Sequence, residues 1–126
     1  MADIGSTFLD QLEAGAGLGS RYQALLEAIA SRELLPVRVQ QICRHRIAEL
    51  HGIESGKVEI TPESEAELAA LQLADKMPYQ HHAITDEDVE VARRHFGNSG
   101  SVALLTYLAF CDVNCRISLT MSAGDH

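Results

Sequence analysis

The last helical stretch of the chain, residues 99–121, reads SGSVALLTYLAFCDVNCRISLTM. Its apolar residues occur nearly all round a helical projection between Val102 and Ala109, and such a helix needs cover on several sides. No alternating pattern of useful length predicts a strand anywhere in the chain. We therefore predict an all-α fold in which this helix is central or lies at a subunit interface.

Capping and breaking residues predict the helices upstream. A hydroxyl or a proline followed by acids is typical of a helix start, and glycine or proline is typical of a helix end. These signals, with the last stretch, predict five to six helices. The upstream helices are expected after Ser6, after the glycine-rich joint 15–19, from Pro36 to Gly52, from Thr61 to Pro78, and from Thr85 to Gly97. Their expected core positions include Tyr22, Leu25, Leu26, Val39, Ile42, Cys43, Ile47, Leu50, Leu68, Leu71, Ala92 and Phe96.

Composition limits the class of protein. The 126 residues suit a single domain, 1–126, with an N-terminal helical segment and joint over 1–19. A net charge of −8 repels phosphate backbones and anionic lipid, so we expect no nucleic-acid partner and no membrane partner. Three cysteines, no signal-peptide pattern and no apolar stretch of about 20 residues favour the cytoplasm. We expect no cofactor.

Two blocks carry motifs whose order and spacing can be compared with a known family. Residues 34–52 read LLPVRVQQICRHRIAELHG, with Arg46 at an internal arginine position. The second block spans 66–119 and contains LQLAD at 71–75, ITDEDV at 84–89, RHF at 94–96 and DVNCRI at 112–117. Together the blocks resemble the alkylhydroperoxidase D-like and carboxymuconolactone decarboxylase superfamily over roughly residues 34–121. The resemblance implies that family's compact helical domain, assembly into a homo-oligomer, and one family helix shortened or missing.

The chain departs from the redox-active members of that family at their active site. Those members carry C-x-x-C directly after the motif that ends here at Gly52, with a glutamate about a dozen residues upstream. The corresponding positions here are Ile53 and Gly56 for the two sulfurs and Gln41 for the carboxylate. Thiol chemistry at a helix N-terminus requires a cysteine there and a nearby base that removes its proton. We therefore expect a degenerate site without peroxidase activity.

Cysteines elsewhere are the remaining candidates for thiol chemistry. Cys111 and Cys115 are four residues apart and share one helix face, and Cys43 lies on an earlier helix. They are either a relocated redox pair with a third thiol or small residues in a core, where free cysteine is common. Parallel side chains four residues apart fit a disulfide poorly, which favours the core interpretation.

Charged residues and histidines supply the other candidates. Arg46 and Arg116 are candidates to hold an acidic substrate, although the spacing of Asp112 and Arg116 also predicts a simple ion pair within the helix. His81 and His82 are adjacent in an expected loop, and no matched ligand accompanies them, so we expect exposed histidines and no metal.

These observations leave three functions open. The first is a non-enzymatic scaffold or binding protein that acts as a homo-oligomer, with a small-molecule ligand that the sequence does not identify. The second is a thiol-dependent peroxidase or disulfide reductase using relocated cysteines. The third is a decarboxylase-like enzyme for a small acidic substrate, which needs a histidine and a carboxylate to converge beside Arg46 or Arg116.

Overall fold

The computed structural model describes residue 14 and residues 17–31, 33–53 and 61–124, and these residues form helices without a strand. The α-helices are α1 (Leu18–Ile29), α2 (Val37–Leu50), α3 (Glu65–Lys76) and α4 (Asp86–Gly124). A short 3₁₀ turn, His81–Ala83, precedes α4. The predicted all-α class is confirmed.

The expected count of five to six helices is wrong for this part of the chain, which contains four α-helices. The two helices predicted on either side of Gly97 form one long element, α4, in which only Gly97 leaves helical geometry (φ 75°, ψ 177°). The two predicted helices are therefore present, and they meet at a kink at Gly97 without an intervening loop. The helix predicted after Ser6, the loop predicted at 53–60 beyond Ile53, and Gly56 lie outside the described residues.

The start predicted for α3 is also corrected. Its N-cap is Ser64 rather than Thr61, and the Ser64 hydroxyl accepts a hydrogen bond from the Glu67 backbone N–H at 3.1 Å. Arg38 on α2 donates to the Thr61 carbonyl at 2.9 Å, which holds this residue before the helix begins.

Three leucines predicted to face the core are exposed instead, and one of them is Leu50 at the end of α2, which is 39% exposed. Leu68 on α3 is 45% exposed and Leu25 on α1 is 48% exposed, whereas their neighbours Leu71 and Leu26 are buried. Helix α1 buries only a narrow stripe, and Leu25 lies beside it. Leu68 lies on the side of α3 opposite its buried residues. By contrast, the predicted capping box at the start of α4 is confirmed by reciprocal bonds between Thr85 and Asp88.

Helix α4 carries the core. Helices α1, α2 and α3 all pack against it, and α2 also packs against α3. The largest fully buried side chains are Tyr107, Leu26, Leu35, Ile42, Ile47, Leu73, Leu104, Leu108 and Cys43. The buried amide of Gln40 joins the α1–α2 connection to this core by donating to the Ala30 and Leu35 carbonyls at 2.7 and 2.9 Å.

One side of α4 is left uncovered by the described helices. Val102 is 64% exposed, Val113 is 42% exposed, and Ala109 is also exposed. With Thr106 they recur at alternating spacings of four and three residues, and we call these four residues the outer seam. The Thr106 hydroxyl donates to the Val102 carbonyl of its own helix at 2.7 Å, so its hydrogen-bonding need is met inside the helix.

The region Asp86–Ser122 of α4 is long and apolar enough to cross a membrane by length and composition alone. Its most apolar window has a mean hydropathy of 1.4, and one third of that window is buried within the fold. This is weak evidence for a membrane span, because the central helix of a water-exposed bundle has the same composition. The absence of a membrane partner remains a prediction.

Substitution of Gly97 should destabilise the protein. We expect Gly97→Ala to lower the free energy of unfolding by about 1–3 kcal/mol, because an L side chain is strained at this positive φ. No atom lies within 4 Å of the position of an added Cβ, so strain rather than a clash is the cause. Urea unfolding measures the effect.

Ser99→Ala is the matched control, since Ser99 is exposed and helical two residues further on. It should change stability by no more than about 0.5 kcal/mol. A Gly97→Ala protein as stable as Ser99→Ala would contradict the strain at Gly97.

Candidate functional site

The site begins at the C-terminal end of α2. His51 is the C-cap, and Gly52 follows with φ 73°. The Ile53 N–H donates to the Ala48 carbonyl and the Gly52 N–H to the Glu49 carbonyl, both at 2.9 Å, which is a Schellman motif. This turn fixes the His51 backbone, and only 2% of the His51 side chain is exposed.

The His51 ring is bonded through both nitrogens. Its Nε2 lies 2.6 Å from Oδ1 of Asp112 on α4, and its Nδ1 lies 3.1 Å from the hydroxyl of Tyr79, which precedes the 3₁₀ turn. A carboxylate accepts hydrogen bonds only, so Nε2 carries the proton. In the tautomer with its proton on Nε2, the ring accepts the Tyr79 O–H at Nδ1.

Arg116 completes the group. Its Nε lies 3.1 Å from both carboxylate oxygens of Asp112, one turn earlier on α4, so the predicted intrahelical ion pair is confirmed. Its Nη2 donates to the Pro78 carbonyl, and its guanidinium carbon lies 5.3 Å from the centre of the Tyr79 ring. We call His51, Tyr79, Asp112 and Arg116 the polar cluster.

The polar cluster combines fixed donors with access to solvent. The Arg116 side chain is 48% exposed and Tyr79 is 58% exposed, whereas Asp112 is 16% exposed. Among the described residues nothing accepts a hydrogen bond from Nη1 of Arg116. An arginine held at one edge and free at the other is suited to binding an anion, because little side-chain entropy remains to be lost. The chain from Tyr79 through His51 to Asp112 also provides a path for a proton.

Sequence reasoning found half of this cluster. The sequence indicates Arg116 as a candidate and its pairing with Asp112 from their spacing, but no motif in it indicates His51 or Tyr79. His51 and Asp112 are 61 residues apart, and no local motif marks a contact of that separation. Only the decarboxylase-like function considered above indicated such a group, because that function requires a histidine and a carboxylate beside an arginine.

The three cysteine candidates lie in the core as free thiols. Burial raises the pKa of the Cys43 thiol far above its usual range. Burial also raises the pKa of Cys111 to about 12, although a hydrogen bond with Tyr107 opposes the shift. The pKa of Cys115 is raised as well, first by burial and then by the Asp112 charge. A reactive thiolate needs the opposite environment.

The structure does not bring the other candidates into the polar cluster. Arg46 pairs with Asp75 on α3 at 3.0 Å, and its buried Nε has no hydrogen-bond partner within the part of the chain that is described. Gln41 is exposed on α2, and Ile53 packs against the core. Neither position carries a thiol or a carboxylate.

His81 and His82 lie in the 3₁₀ turn and are exposed, with their rings 6.0 Å apart. Over residues 17–31, 33–53 and 61–124, no group of three or more His, Cys, Asp or Glu side chains is placed to hold a metal ion. The exposed position of these two histidines is the one predicted from the sequence.

No family model matches the chain, and neither a curated protein nor a solved structure matches it. The resemblance described above therefore rests on the quoted motifs alone and stays a prediction.

The buried thiols predict how stability depends on pH. Their pKa values are raised in the folded state, so the stabilisation is fully present below the unfolded thiol pKa of about 8.5 and is lost as the pH rises beyond it. Cys43 and Cys111 should each remove about 1.4 kcal/mol of unfolding free energy per pH unit above that point. Urea unfolding between about pH 7 and pH 10 measures this slope.

Cys43→Ala provides the matched control, because it removes one titrating thiol from the core. Its stability should be lower at neutral pH and should fall less steeply with pH than that of the wild type. Equal slopes for the two proteins would contradict the buried, neutral state of Cys43.

Proposed function

We propose that this protein is a non-enzymatic helical binding protein that acts as a homo-oligomer, with the outer seam of α4 as its contact surface. The observation that carries the proposal is the exposure of Val102, Ala109 and Val113 on the helix that also forms the core. A continuous line of exposed apolar side chains along one helix is typical of a surface that a partner covers.

The spacing of the outer seam supports helix-to-helix association. Alternating steps of four and three residues keep the side chains on one line along a helix, as in the seam of a coiled coil. Small and β-branched residues, here Val102, Thr106, Ala109 and Val113, allow a second helix to approach closely. A second copy of the chain presents the same line, so the contact can be symmetric.

The environment of the cysteines favours this function over the thiol-dependent alternative. A thiol peroxidase needs an accessible sulfur with a lowered pKa, whereas Cys43 is fully buried and its pKa is raised. Cys111 and Cys115 have the same character and are 8% exposed. The three residues act as small apolar core residues in this proposal.

The proposal retains the resemblance to the alkylhydroperoxidase D-like superfamily and places the chain among its degenerate members in the cytoplasm. Its support is the order of the motifs over 34–121 and the absence of C-x-x-C after Gly52. A member without the redox centre would keep the helical core and the tendency to associate.

Substitution in the outer seam should change the assembly without unfolding the subunit. We expect the wild type to elute with a mass of at least twice 13.7 kDa and Ala109→Glu to elute at 13.7 kDa. A carboxylate at the centre of the seam is desolvated in the contact but remains in water in the monomer. Light scattering coupled to size-exclusion chromatography gives both masses.

Leu68→Glu is the matched control, because Leu68 is exposed on α3 and lies outside the seam. It should leave the mass of the wild type unchanged, and circular dichroism should show that both variants remain helical. A monomeric wild type, or an Ala109→Glu protein with the wild-type mass, would overturn the proposal.

A further inference from the structure

We propose that the polar cluster is a binding site for a planar monocarboxylate, whose carboxylate pairs with Arg116 and whose flat body lies against Tyr79. The inference goes beyond association through the outer seam and does not depend on it. It begins from three parts of the fold that meet at one place: the C-cap of α2, the turn at Pro78 and Tyr79, and the middle of α4.

The first step concerns the guanidinium of Arg116. Asp112 occupies its Nε, the Pro78 carbonyl occupies one N–H of Nη2, and the Tyr79 ring lies beside its plane. Nη1 has no acceptor among the described residues, although 48% of the side chain is exposed. The free edge of a planar guanidinium presents parallel N–H donors, which match the two oxygens of a carboxylate.

The second step concerns Tyr79. The side chain is 58% exposed although its hydroxyl is fixed on His51 at 3.1 Å. An aromatic ring held in solvent by a bond at its far end offers a surface for stacking another flat group. A ligand bound by Arg116 would lie next to this ring, because the two side chains already touch.

The third step concerns charge. Within the cluster the Asp112 carboxylate offsets the charge of Arg116. The whole chain carries a net charge of −8, which disfavours ligands with several negative charges. A single carboxylate is therefore favoured over phosphate, and an aromatic acid over an aliphatic one because only the former can stack on Tyr79.

Titration of the full chain with benzoate, acetate and inorganic phosphate tests the proposal. The measured signals are the Arg116 side-chain N–H and Tyr79 ring resonances in nuclear magnetic resonance spectra. Benzoate should shift both residues saturably, acetate should bind more weakly, and phosphate should bind more weakly than benzoate. A wild type whose Arg116 and Tyr79 signals do not respond to benzoate overturns the site. Equal responses to phosphate and benzoate overturn the carboxylate assignment.

Two variants and a control separate binding from folding. Arg116→Met should lower the benzoate association constant at least about tenfold, since it removes a charge-assisted bidentate contact. Tyr79→Leu should weaken benzoate more than acetate, and circular dichroism should show that the variant remains helical. Arg94→Met is the control, because Arg94 is an exposed arginine paired with Glu87 away from the cluster. Full benzoate affinity in folded Tyr79→Leu, or equal losses in Arg116→Met and Arg94→Met, overturns the proposal.

Discussion

The contact between His51 and Asp112 organises the polar part of this molecule. An imidazole that is 2% exposed lies 2.6 Å from a carboxylate that belongs to the central helix, and the two residues are 61 positions apart. Removing either partner would leave the other buried without its hydrogen bond, and that loss is more costly than the gain from an ordinary surface pair. The C-terminal end of α2 is therefore held against α4 by the His51–Asp112 hydrogen bond as well as by apolar packing. Tyr79 and Arg116 depend on the same two residues for their positions.

Helix α4 contributes residues to both the hydrophobic core and the polar cluster. One side of this helix buries Leu104, Tyr107 and Leu108, which form the core with α2 and α3. Asp112 and Arg116 lie one to two turns further along, where the end of α2 and the turn at Pro78 reach the helix. The outer seam occupies the remaining side. Different parts of α4 therefore contribute to the core, to the polar cluster and to the exposed outer seam.

Local chemistry explains which parts of the fold could be predicted from the sequence. The capping box of Thr85 and Asp88, the glycine after His51 and the break at Gly97 depend on a few adjacent residues, and their positions were predicted. The core position of Leu68 was not, because apolar spacing does not show how wide a stripe the neighbouring helices cover. The count of helices also failed, since a break at one glycine and the end of a helix have the same sequence signal. The His51–Asp112 contact depends on the packing of α2 against α4, which no spacing within either helix determines.

A double-mutant cycle on His51→Ala and Asp112→Ala tests the central contact most directly. Unfolding free energies of the wild type, the two single variants and the double variant give the coupling between these residues. If the contact organises the cluster, the coupling should be about 1–3 kcal/mol, and the second substitution should cost little once the first is present. Single effects that add to within about 0.5 kcal/mol would show that the two residues do not interact and would contradict this account.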